Sequence, residues 1–183
     1  MKKPRFSYSS LSLAEKGRWD ELVYMLFKVD RPITKAMEEG RKIHEDIEKH
    51  IITYNSFPDW LFSGELVLPR AEEKVIIEHN EHFNLSGIFD CYDSATKTLY
   101  EFKSGVQSST DWARTHQIPI YFYMLEKIGR EVDKAFLIHY NQHTQKKDWT
   151  IIHNSPTQIE KAKNYIDTWG YEILNFMEKE GLI

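Results

Sequence analysis

The chain has little of what many specialised proteins depend on. Its 183 residues include one cysteine, Cys91, so neither an intramolecular disulfide nor a four-cysteine cluster can be built from a single copy. Redox chemistry and an iron–sulfur cluster are not expected. No apolar stretch approaches the roughly 20 residues that a membrane-spanning helix needs. The opening Met1-Lys2-Lys3-Pro4-Arg5-Phe6 leads into polar residues rather than the apolar core of a secretion signal. These absences predict an intracellular, cytoplasmic protein without membrane association. Positive charge is also short: 24 Lys and Arg face 28 Asp and Glu, a formal net charge of −4. That balance argues against a protein that coats nucleic acid by bulk electrostatics, so any such contact must be local. Lys2-Lys3-Arg5, Arg114 and Lys146-Lys147 are the basic groups available, and each alone reads as a solvated surface charge. With no internal repeat and no low-complexity linker, one domain is expected across residues 1–183.

What is present is enough apolar and aromatic material, 41% and 14% of the chain, for a packed core. Periodicity predicts an amphipathic helix from Ser10 to Lys28, with Gly17 as an interior blemish, and a second helix opened by Pro32 and Thr34 and running to about Thr53. A loop from Tyr54 to Ser63 carries Phe57, Trp60 and Phe62. Strands are expected at Glu65–Leu68, Lys74–Glu78, Asn84–Tyr92 and Thr98–Lys103, then a helix within Trp112–Ile128. Strands at Lys134–Tyr140 and Asp148–His153 precede a last helix that starts after Ser155 and ends near Lys179. The order α-α-β-β-β-β-α-β-β-α points to an α/β (α+β) architecture, a mixed central sheet flanked by helices.

Chemistry concentrates in two of these strands. Leu85-Ser86-Gly87-Ile88-Phe89-Asp90 and Leu99-Tyr100-Glu101-Phe102-Lys103 flank Asp93-Ser94-Ala95-Thr96-Lys97-Thr98, which has turn composition. A hairpin with its tip at Ala95-Thr96 sets Asp90 opposite Glu101, side chains about 5 Å apart at Cβ, and returns Lys103 to the same face. Two like charges so placed repel unless a cation lies between them, and hard oxygen ligands suit magnesium or manganese. An ordinary hairpin with solvated charges is the plainer alternative. On the second helix Gly40, His44 and Glu48 share one face, so His44 can point toward the sheet while Gly40 permits a close approach. Gly40 costs about 1 kcal/mol of helix propensity relative to alanine, which calls for such a reason.

Gly40-x-x-x-His44, Gly87-x-x-Asp90, Glu101-x-Lys103 and Gln117-x-x-x-Tyr121, with the entry Phe6-Ser7-Tyr8-Ser9-Ser10-Leu11, together resemble the RecB-like branch of the PD-(D/E)XK nuclease superfamily. The likeness is to CRISPR-associated and phage exonuclease-like members without the iron–sulfur cysteines, since Glu15-Lys16-Gly17 stands near the place of the first. The resemblance implies a restriction-endonuclease-like core. It also implies a metal-dependent DNA nuclease, an exonuclease or end-processing enzyme of recombination, repair or phage- or CRISPR-related DNA metabolism. It makes His44, Asp90, Glu101 and the Phe102 carbonyl ligands of Mg²⁺ or Mn²⁺. Lys103 would orient the attacking water or stabilise developing charge, and Gln117 and Tyr121 would support the site and contact substrate. DNA is the implied partner, with a second copy of the chain or a repair or recombination protein as a further one. Pro119 interrupts the Gln117–Tyr121 element, so the helix there must begin or kink. Trp60, Phe62 and Trp112, in or beside loops, could stack on unpaired bases, although core packing is the commoner use of such rings. A noncatalytic DNA-binding or assembly subunit and an endonuclease of the same superfamily are the other readings.

Overall fold

The computed structural model describes residues 3–27, 33–64 and 66–183. In chain order the elements are β1 (Arg5–Phe6), α1 (Tyr8–Glu15), α2 (Trp19–Leu26), α3 (Lys35–Tyr54), β2 (Pro69–Glu78), β3 (Asn84–Asp93) and β4 (Thr98–Ser104). They continue with α4 (Ser109–Ala113), α5 (Gln117–Lys127), β5 (Lys134–Tyr140), β6 (Lys147–His153) and α6 (Pro156–Lys179). The strands form one mixed six-stranded sheet, and helices cover both of its faces. Among the described residues no helix is long and apolar enough to cross a membrane.

β3 organises the sheet. β2 pairs antiparallel along one edge of it, whereas the other edge is shared by β1, parallel at Asn84 and Leu85, and β4, antiparallel at Cys91–Asp93. Between those two partners the edge has no strand neighbour among the described residues, and Asp90 lies in that gap. β4 then runs parallel to β5, and β6 closes the sheet antiparallel. On one face α1, α2, α5 and α6 bury the larger core, with Leu11, Leu22, Phe122 and Ile166 packed with Leu85, Phe89, Leu99 and Leu137. On the other, Ile47 and Ile51 of α3, with Phe57 and Leu61, cover Cys91, Tyr100, Phe102 and Ile138. Each such side chain, fully buried, contributes about 1.5–3 kcal/mol.

Several expected elements are divided or moved, each for a local reason. The first helix begins at Tyr8, because Ser7 and Ser10 form a reciprocal capping box, and it breaks at Gly17, whose φ of 64° favours glycine. A second helix restarts at Trp19, and the expected end at Lys28 and the opening Pro32 lie outside the described residues. Thr34 caps α3 as expected, its hydroxyl accepting from the Met37 N–H. Glu65 is outside the described residues, and 66–68 is not strand: the Val67 and Leu68 amides donate to the Asp93 carboxylate instead of to a ladder. The strand expected at Lys74–Glu78 is the second half of a longer one that starts at Pro69, a strand's first position being one proline tolerates. The helix expected within Trp112–Ile128 is two, a short α4 capped by Ser108 and an α5 that begins at Gln117. Pro119 then falls in the first turn, where its missing N–H breaks no bond.

Candidate active site

The hairpin pairs as its turn chemistry predicts, Cys91 with Tyr100, Tyr92 with Leu99 and Asp93 with Thr98. The ladder stops there, one residue short of Asp90 and Glu101, so the expected face-to-face pair of carboxylates across a continuous ladder is not formed. Asp90 Oδ2 instead accepts from the Phe102 backbone N–H at 2.7 Å. The cause lies on the neighbouring strand as well. Leu85, Phe89 and Tyr92 join the larger core while Cys91 joins the smaller, so the two-residue alternation slips at Asp90, beside Glu72 with its φ of 47°. β3 and β4 part at this slip, and the charged residues occupy the opening.

Six expected site residues, His44, Asp90, Glu101, Lys103, Gln117 and Tyr121, lie around it. His44 reaches in from α3, with Nδ1 3.7 Å from Asp90 Oδ1. α3 can lie this near because Gly40 has no side chain: a Cβ there would meet Ser104 Oγ at 2.9 Å. From β4, Lys103 Nζ donates to Glu101 Oε1 at 2.7 Å, and from α5 Gln117 Nε2 donates to the same oxygen at 2.6 Å. Gln117 also donates to the Tyr121 hydroxyl at 3.0 Å, so both residues of the α5 element stand behind Glu101. Phe102 turns its ring into the smaller core. Of the aromatics, Trp112 lies against Lys103, with the ammonium 5.2 Å from the ring centroid. Trp60 is half-exposed against Tyr140, and Phe62 packs on Phe57 and Phe136, a core role.

The electrostatics are uneven. Glu101 is 2% exposed and its Oε2 has no hydrogen-bond partner. Burial, then the neighbouring charge of Asp90, push its carboxyl up to about 7, against the opposing pull of Lys103. Burial alone would lower the His44 imidazole, but the adjoining Asp90 carboxylate outweighs it and leaves it raised. Lys103 is likewise raised, the desolvation of its ammonium being overcome by Glu101 and Asp90. Burial and the Glu101 charge hold the Tyr121 phenol well above its usual range. Glu48 is raised by burial and by Glu72, Glu45 and Asp90, which places it at the margin of the same acidic group.

Among the described residues no three His, Cys, Asp or Glu side chains converge as a ready-made metal cluster. The donor chemistry nonetheless suits a hard divalent cation: two carboxylates and an imidazole, with an unpartnered buried oxygen on Glu101 and an excess of negative charge that raises its neighbours. Two contributors were not singled out from the sequence, Glu72 at the slip and Trp112 as a partner of Lys103. The Ser108-x-x-Asp111 capping pattern, which builds the short helix that carries Trp112, was the available signal.

Searches with protein-family models and among curated proteins find no match to this chain. Solved structures do match. SSO0001 superposes with a TM-score of 0.62 at 12% identity, over 92% of this chain and 76% of its own. An alkaline exonuclease (LHK-Exo) from Laribacter hongkongensis gives 0.53 at 15% identity, over 97% and 92%. A phage related exonuclease from Haemophilus somnus gives 0.52 at 15% identity, over 93% and 83%. At these identities the likeness establishes the fold alone, a mixed α/β sheet shared with exonucleases.

Proposed function

We propose that the protein is a metal-dependent nuclease that hydrolyses phosphodiester bonds of DNA, an exonuclease or end-processing enzyme of the RecB-like branch. The observation that carries this reading is the pairing of His44 with Asp90 and of Lys103 with Glu101, from a facing helix and two strands, around the gap where β3 and β4 part. The likeness of the fold to exonucleases supports it. Asp90, Glu101, the Phe102 carbonyl and His44 would hold Mg²⁺ or Mn²⁺, and the bound ion would supply an activated water and neutralise charge on the phosphoryl oxygens. The protein's own part is to orient these groups. Gln117 and Lys103 fix Glu101 through Oε1 and leave Oε2 unpartnered. Asp90 is anchored on the Phe102 amide, and the Lys103 ammonium stands where developing negative charge can be met. Work at DNA ends, in repair, recombination or phage- or CRISPR-related metabolism, belongs to the same proposal, as does assembly with a second copy or a partner protein.

The test is cleavage of linear and circular, single- and double-stranded DNA with Mg²⁺ or Mn²⁺. Cleavage of linear DNA that stops in excess chelator is expected, and full activity in chelator would refute the metal requirement. Lys103→Ala should bind DNA as wild type does and cleave it at least about a hundredfold more slowly, the usual cost of removing a preorganised charge. Equal cleavage by both proteins would instead favour a noncatalytic DNA-binding subunit.

A further inference from the structure

Lys103 has two neighbours of opposite kind. One is Glu101, which takes its hydrogen bond, and the other is the indole of Trp112, over which Nζ lies at 5.2 Å. The ring attracts an ammonium through its negative face but accepts neither its proton nor its charge. With the Glu101 and Asp90 carboxylates already beside the ammonium, the aromatic face adds a hold on its position without adding a further negative charge.

The placement of Trp112 is built by other residues. Its Nε1 is buried without a hydrogen-bond partner, although buried indoles usually find one, so the ring is not oriented by its own N–H. α4, which carries it, has five residues, too few to persist without tertiary anchors. The anchors are specific. Ser109 N donates to Asp148 Oδ1 at 2.8 Å, and its hydroxyl pairs with that of Thr150 at 2.8 Å. Asp148 Oδ2 pairs with His139 Nδ1 at 3.2 Å, and His139 Nε2 pairs with the Gly105 carbonyl at 3.0 Å. Gly105 lies two residues past Lys103. The connection from Lys103 to Trp112 is therefore pinned near both ends to one His139–Asp148 pair, its imidazole buried and its carboxylate partly exposed, which constrains where the ring can stand relative to the ammonium.

We propose that Trp112 is a positioning residue for Lys103, its indole face holding the ammonium beside Glu101 in the orientation the cleavage step requires. This rests on the nuclease reading above. A lysine has a long, flexible stem, and without the ring its head is free to turn toward solvent or the unpartnered Glu101 oxygen.

The test compares Trp112→Leu and Trp112→Phe, each alone and with Lys103→Met, in steady-state cleavage with Mg²⁺. Trp112→Leu should lower kcat about three- to thirtyfold and leave KM within about twofold, as expected for a cation–π contact. Trp112→Phe should restore most of the loss, and Trp112→Leu should cost nothing further when Met stands at 103. NMR gives a reading independent of activity: the Lys103 ε protons should be shifted upfield by the ring in wild type and in Trp112→Phe, and not in Trp112→Leu. Equal losses in the Leu and Phe variants, an undiminished loss in the Lys103→Met background, or unshifted ε protons in wild type would overturn the proposal. If wild type cleaves and only Trp112→Leu matches it, this proposal alone falls. If wild type cleaves nothing under any metal, the nuclease reading falls and the positioning role with it, while the ring shift then reports a packing contact.

Discussion

Asp93 and Glu101 are both sealed from solvent at opposite ends of one hairpin, 0% and 2% exposed, and they resolve the same difficulty in opposite ways. Asp93 accepts from the backbone N–H groups of Val67, Leu68, Ala95 and Thr96 at 2.8–3.4 Å. Burial would raise its carboxyl, but those four donors reverse the effect and hold it below its ordinary value. Glu101 has two donors on one oxygen and none on the other, beside a second carboxylate, and is pushed up to about 7. A buried carboxylate with a complete set of donors closes a turn. One left incomplete keeps a demand for positive charge that a bound cation can meet.

The contrast predicts opposite outcomes for the two ends, and the largest effect is expected at the satisfied one. Asp93→Ala should strand four amide donors and destabilise the protein by about 3–5 kcal/mol in urea denaturation. A change below about 1 kcal/mol would mean that water or a rearranged loop takes over the turn.

At the other end, pH supplies the perturbation. Glu101 holds its proton to about 7 in the fold but releases it near its ordinary value of 4.5 when unfolded, so between those limits the folded state binds more protons. The contribution of Glu101 to the stability of the metal-free protein should be fully present below pH 4.5 and fall by up to about 3 kcal/mol as pH rises to 7. His44, also raised, acts in the same sense from its ordinary 6.5 upward. Glu101→Gln should flatten the first part of this slope, as should saturating Mg²⁺, and a slope unchanged by both would remove Glu101 as its source.

The smallest effect is expected at His44, the partly exposed member of the group. His44→Ala should weaken Mn²⁺ binding, read by calorimetry, by about tenfold or more, with the melting temperature little changed because the carboxylates remain. Wild-type affinity would assign His44 to packing against Phe102, whose ring it meets edge-on.

The same physics separates what could be read from residues alone from what could not. Turn chemistry at Asp93–Thr98 sets the hairpin and its register, since turn length and the two-residue alternation leave few choices. Thr34 and Ser155, with hydroxyls that accept from the third amide beyond, likewise define helix starts locally. Gly40 states its reason through the sheet it lets approach. Splitting the first helix at Gly17 was within reach, because a glycine with positive φ ends a helix more readily than it interrupts one.

By itself, then, the sequence determined the mixed α/β class, the hairpin register, the last two strands and the closing helix, and the residue types available for chemistry, because these follow from interactions between near neighbours in the chain. Tertiary structure decided where β3 and β4 part and which oxygen of Glu101 is satisfied. It also decided that Trp112, nine residues beyond Lys103, turns back over its ammonium. Those outcomes depend on a strand that passes its partner at Asp90 and on a short helix anchored by Asp148 and His139 from other strands. No local periodicity encodes contacts of that kind.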